Sequence, residues 1–175
     1  MTYMSIDDEI IDRVRRGMLF PLVPRAKGEV PTRAFFVGEK MWGDLTASYE
    51  DQDLEYRMGE LQAHLDHFAS GGRIGPKYLR LLHPACDGVW EIRNPEADPS
   101  MRVIGLFVRK DVFIAAEMAF RKDLDGWQSR RWKEVKRRAS AVWRGLFFNE
   151  RPLVTVSVNE VVSGAEDGRY YKNRA

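Results

Sequence analysis

The chain has 175 residues, 44% hydrophobic and 11% aromatic, enough apolar surface for the core of one domain and too much for wholesale disorder. Its 28 Lys/Arg nearly balance 26 Asp/Glu, so the formal net charge of +2 points to no class of partner by itself. A single cysteine, Cys86, excludes an intrachain disulfide and a thiolate zinc site, and fits a reducing, cytoplasmic compartment.

The opening residues carry early acids and no long apolar run, which predicts neither a secretory signal nor a membrane anchor. Ser5 before three acids predicts a helix start, and Ile6, Ile10, Ile11 and Val14 recur at helical spacing up to Gly17. Residues 18–31 hold three prolines and predict an extended connector lying against the domain. Residues 34–37 predict a strand and residues 41–45 a helical turn. Leu54, Met58, Leu61, Leu65 and Phe68 step by three and four, so residues 50–70 predict an amphipathic helix ended by Gly71-Gly72. Residues 73–80 read as a loop.

Residues 89–93 then predict a short strand with Trp90 and Ile92 on one face and Glu91 and Arg93 on the other. Residues 101–108 and 112–120 predict two longer strands joined by a tight turn. Trp132, Val135, Ala139, Val142 and Leu146 mark the buried seam of a last helix. Residues 151–158 predict one more strand, and the polar tail from Ser163 is expected to be loose.

Charge is unevenly spread. Residues 121–144 hold nine Lys/Arg against three acids, a net of +6, leaving −4 for the rest of the chain. Such a face suits an anionic partner, as in nucleic-acid binders, although a solvated helix face has the same composition. His64 and His67 are three apart on a predicted helix, but no third ligand accompanies them, so neither metal nor cofactor is expected.

Strand, helices, hairpin-linked strands and basic helix in that order predict an α+β fold, an antiparallel sheet with helices on one face. Gly71-Gly72, Pro76-Lys77-x-Leu79, the run GVWEIR at 88–93, Arg102 opening a strand and AFRK at 119–122 together resemble the RelE/ParE toxin superfamily, nearest its HigB-like, phage-derived branch. The resemblance covers roughly residues 34–146. It sets a RelE-like domain at 34–148 between an N-terminal extension, 1–33, and a C-terminal strand and tail, 149–175.

The resemblance implies a metal-independent endoribonuclease that cuts messenger RNA, commonly on the ribosome, and an antitoxin protein that neutralises it; a homodimer is a further expected partner state. It places Arg93, Arg102 and Arg121 at the scissile phosphate, where planar, permanently charged guanidinium groups suit two oxygens at once. Lys122, Arg130, Arg131, Lys133 and Arg137 are the expected nucleic-acid contacts. The Tyr or His that many members use as acid or base has no counterpart, since Phe120 precedes the basic pair. Glu91, Glu117 and His83 stand as candidates for proton transfer. A second reading keeps the fold without the chemistry, as a nucleic-acid- or protein-binding module of phage or regulatory origin. A third has the N-terminal helix, residues 5–16, close the site in cis, against a helix that only extends the core or makes a dimer contact.

Overall fold

In the computed structural model, which describes residues 4–24, 31–126 and 128–172, six strands form one sheet. In chain order the elements are α1 (Ile6–Arg15), β1 (Leu19–Pro21), β2 (Ala34–Gly38), α2 (Glu39–Thr46), α3 (Gln52–Ala69), β3 (Leu79–Leu81), β4 (Val89–Asn94), β5 (Met101–Arg109), β6 (Val112–Phe120), α4 (Arg130–Leu146) and α5 (Val158–Val161). The sheet order is β1-β2-β6-β5-β4-β3.

The α+β class holds, while two finer expectations are corrected. The sheet is mixed, because β2 runs parallel to β6 and every other pairing is antiparallel. Helices also cover both faces. On one side Met41 and Leu45 of α2 and Met58, Leu61, Leu65 and Phe68 of α3 join Phe35, Trp90, Phe107 and Phe113 in one core. On the other, Ile10 of α1 and Trp132, Val135, Ala139 and Trp143 of α4 join Ile104, Leu106 and Ile114 in a second. The reason lies in β5 and β6: they are nearly unbroken apolar runs, buried from Met101 to Phe107 and from Val112 to Glu117, so both faces need cover.

Local signals place the helices. Ser5 and Asp8 form a reciprocal capping box on α1, and the Asp51 carboxylate accepts from Asp53 and Leu54 N–H at the start of α3. On α4, Ser129 Oγ accepts from the Trp132 N–H at 3.1 Å. The α4 seam is as expected except that Trp143, 3% exposed, is buried where Val142 is only partly so.

The flanks depart most from expectation. Part of the connector is strand β1, paired antiparallel to β2; its residues 25–30 lie outside the described residues, as does Trp127. The loop read at 73–80 ends in strand β3. Residues 151–157 form no strand: β5 already has β4 and β6 beside it, and the segment meets the sheet through Leu153 N–H, which donates to Phe107 O at 2.8 Å just beyond the β4 ladder. Nor is the tail loose as far as it is described, to Lys172. Tyr170 is 3% exposed, its hydroxyl lies 2.7 Å from Ile74 O, and bridges join Ile74 to Ala165 and Leu81 to Tyr171.

Helix α1 does not close a site in cis. Arg13 Nε donates to Leu146 O at 2.8 Å and Arg109 pairs with Asp7, so α1 sits at the C-terminal end of α4, beside the β5–β6 hairpin. No described helix is long and apolar enough to cross a membrane.

Candidate functional site

Three neighbouring strands bring charged side chains to the α4 side of the sheet. Arg80 on β3 stands opposite Glu91 on β4, and Arg93 on β4 stands opposite Arg102 on β5. Because side chains alternate along a strand, Glu91 and Arg93 share the face of Val89, which packs beneath α4, while Trp90 and Ile92 enter the other core. Arg121 arrives from the turn after β6, where its N–H donates to Ser100 O at 2.8 Å and its guanidinium to Asp125 O at 2.7 Å. The first turns of α4 add Trp132 and Lys136, and the tail adds Lys172.

These groups line a cavity of about 270 Å³ together with His83. It holds six cationic side chains (Arg80, Arg93, Arg102, Arg121, Lys136 and Lys172) and a single carboxylate, Glu91. The floor is desolvated: Glu91 is 5% exposed and Arg102 4%. Arg102 Nε lies 3.2 Å from one Glu91 oxygen and Arg93 Nε 3.6 Å from the other. Neither Glu91 Oε2 nor Arg93 Nε completes a hydrogen bond. Arg102 instead donates to Met101 O at 2.8 Å.

Burial pushes the Glu91 carboxyl above the ordinary carboxylate range, with Arg102, Arg93, Arg80 and Arg121 pulling it back. Burial also brings Arg102 down to about 10; Glu91 opposes that shift, while Arg93, Arg121 and Arg80 add to it. Both directions say that desolvating this pair costs more than its attraction returns, so the cluster is a poor stability device. A desolvated cluster in a recess, with cations in excess of its counter-charge, is chemically suited to an anion.

The three arginines expected at the phosphate therefore meet in one cavity. The outer set is divided. Lys122 is exposed, 5.5 Å above the Phe120 ring, and does not line the cavity. Arg130 pairs with Glu134 at 3.0 Å, and Arg131 donates to Asp123 O at 2.9 Å, so both are engaged within the α4 N-terminal region. Lys133 and Arg137 line recesses beside the cavity. Glu117 is corrected as a proton-transfer candidate: it lies 3.3 Å from Arg138, in a separate recess. Glu91 is in the cavity, and His83 is on its rim, with Nδ1 3.0 Å from Tyr171 Oη.

Sequence reading missed Arg80, Lys136 and Lys172. Arg80 was placed in a loop, and only the β3–β4 register aligns it with Glu91. Lys136 belongs to the basic run of α4, yet it donates to His83 O and so ties the β3–β4 connection to the helix. Trp90 and Trp143 are core, and Trp132, itself 5% exposed, borders the cavity. His64 and His67 line a larger recess of about 490 Å³ on the α3 side. Among the described residues no group of three or more His, Cys, Asp or Glu could hold a metal ion. No family model, curated protein or solved structure matches the chain, and the cavity is therefore read from its own residues.

Proposed function

We propose that the cavity binds a phosphodiester of RNA and that the chain cleaves it at the adjacent ribose, as an endoribonuclease of the toxin type that the sequence resembles. One observation carries this reading: Arg93, Arg102 and Arg121, from separate segments, surround a buried carboxylate of raised pKa in one recess. In-line attack by a ribose 2′-OH on its own 3′-phosphate needs a base for the hydroxyl proton, cations for the charge that builds on phosphorus, and an acid for the leaving 5′-oxygen. Glu91 is the base in this scheme and the arginines are the cations. His83, held by Tyr171, is the acid. The expected products are a 2′,3′-cyclic phosphate and a 5′-hydroxyl, and messenger RNA on the ribosome is the substrate implied by the resemblance.

The test is incubation of the purified chain with end-labelled single-stranded RNA, free and ribosome-bound. Arg102→Ala and Arg121→Ala are each expected to slow cleavage by about 10²–10³, the usual effect of losing one transition-state donor. Cleavage that is undiminished in both variants, or absent from the wild type on free and ribosome-bound RNA alike, overturns the catalytic assignment. A second reading, an RNA-binding module without chemistry, is favoured by the pairing of Glu91 with two arginines, the place of a structural counter-ion. It predicts Arg102-dependent RNA binding with no cleavage.

A further inference from the structure

The cavity does not end at its rim. Lys136 lines it and two further recesses along α4, of about 410 and 330 Å³. His83 is shared by the first two, and Lys133 by the second and third. The third also takes in Arg137, Ser140, Arg144 and one acid, Asp87. Adjoining through these side chains, the recesses lie in a row, a groove in outline, leading from the arginine floor along α4. From Lys133 to Arg144 the helix rises about 16 Å, the reach of a few nucleotides.

We propose that this groove is the path of a single-stranded RNA whose phosphate occupies the cavity, with Lys136, Lys133, Arg137 and Arg144 tracking the neighbouring phosphates. The proposal rests on the phosphate reading of the cavity and adds what binds and along which side. Charge selects a polyanion, since four cations face one carboxylate along the groove. Recession selects a single strand: Arg102 and Glu91 at the floor are almost wholly buried, and a phosphate of a rigid duplex is too crowded by its neighbours and second strand to reach them. Arg130 and Arg131, nearer the start of the same helix, are off this path and engaged elsewhere.

The experiment compares two triple variants of the full chain that remove equal charge. Lys133, Arg137 and Arg144 are exposed, so replacing all three with alanine leaves the cores intact. The control replaces Lys40, Lys110 and Arg15, which are exposed and outside the groove. Binding is read by anisotropy of a labelled single-stranded RNA and of its duplex across a salt series, with uridine monophosphate as a probe of the cavity alone.

The wild type is expected to prefer the single strand. The groove variant is expected to lose about tenfold or more in affinity and about 2 units of log–log salt slope, three cations at roughly 0.7 each. The control stays near wild type, and the groove variant still binds uridine monophosphate. Equal behaviour of the two triples, with Arg102-dependent binding of the mononucleotide retained, overturns the groove and spares the cavity. Loss of Arg102 dependence for every ligand removes the phosphate reading itself. Equal affinity for the duplex refutes the single-strand claim, and groove-dependent binding of polyglutamate without RNA binding assigns the surface to an acidic protein.

Discussion

Arg102 and Glu91 concentrate the chemistry at the scale of single residues. The folded-state pKa of Arg102 is lowered to about 10, so at neutral pH it remains charged and its burial costs stability rather than adding any. Only the cation attracts an anion. Binding of inorganic phosphate is therefore expected to persist through neutral pH and to fall as pH rises through about 10, well before an ordinary arginine would titrate; calorimetric titrations over that range check it. Phosphate should also raise the wild-type melting temperature, by preferential binding to the native state, and leave that of Arg102→Ala unchanged. Glu91 works in the opposite direction. As a base it must be ionised, so cleavage should rise with pH through its raised pKa, placing the acidic limb above the normal carboxylate range. A rate profile already flat at the pH of an exposed glutamate would remove Glu91 as the base. Arginines at strand ends were legible in residue order. The pairing of Arg80 with Glu91 was not, because register is a property of two strands and β3 is three residues long.

Among elements, the β5–β6 hairpin sets the position of the site. Its ladder shifts register between Ile104 and Gly105, so Gly105 faces Ala115 while Ile104 faces Glu117. At that irregularity the chains approach closely: a Cβ on Gly105 would lie 2.1 Å from Ile114 O and 2.6 Å from the Phe113 ring. The nearest atom is backbone and cannot rotate away. Gly105→Ala is accordingly expected to cost about 1–3 kcal/mol, seen as a lower denaturation midpoint at unchanged slope. A variant as stable as wild type would show that the strands part freely there. Helix α4 has two unlike faces. Its apolar seam was readable at three-and-four spacing, whereas its basic face was ambiguous until tertiary packing separated Lys136, in the cavity wall, from Arg130 and Arg131, bonded locally. Identical side-chain chemistry gives no local signal for that division.

Arg33 shows how the whole molecule is held together. It is 1% exposed and donates to the carbonyls of Phe68, Gly72 and Ser163, with Asp111 3.7 Å from Nε. It thus joins β2, the end of α3, the β5–β6 turn and the C-terminal segment. Removing it takes a donor from three carbonyls and the cation beside Asp111, and Arg33→Ala should cost about 3–5 kcal/mol in chemical denaturation. Tyr170 fixes the tail in the same sense. Tyr170→Ala should loosen residues beyond Ser163, and limited trypsinolysis at Arg169 and Lys172 reports it as faster cleavage. Both residues escaped sequence reading, since a lone arginine after a proline-rich stretch and a tyrosine in a polar tail carry no periodicity. Composition and spacing are enough for the α+β class, the amphipathic helices, the two long central strands and the arginines at the strand ends, because each depends on neighbours within a few residues. The mixed sheet, the second helical layer, the anchored tail and the convergence of Arg93, Arg102 and Arg121 around Glu91 depend on partners tens of residues apart. Those pairings are selected by burying both faces of β5 and β6 at once, a condition that no local window contains.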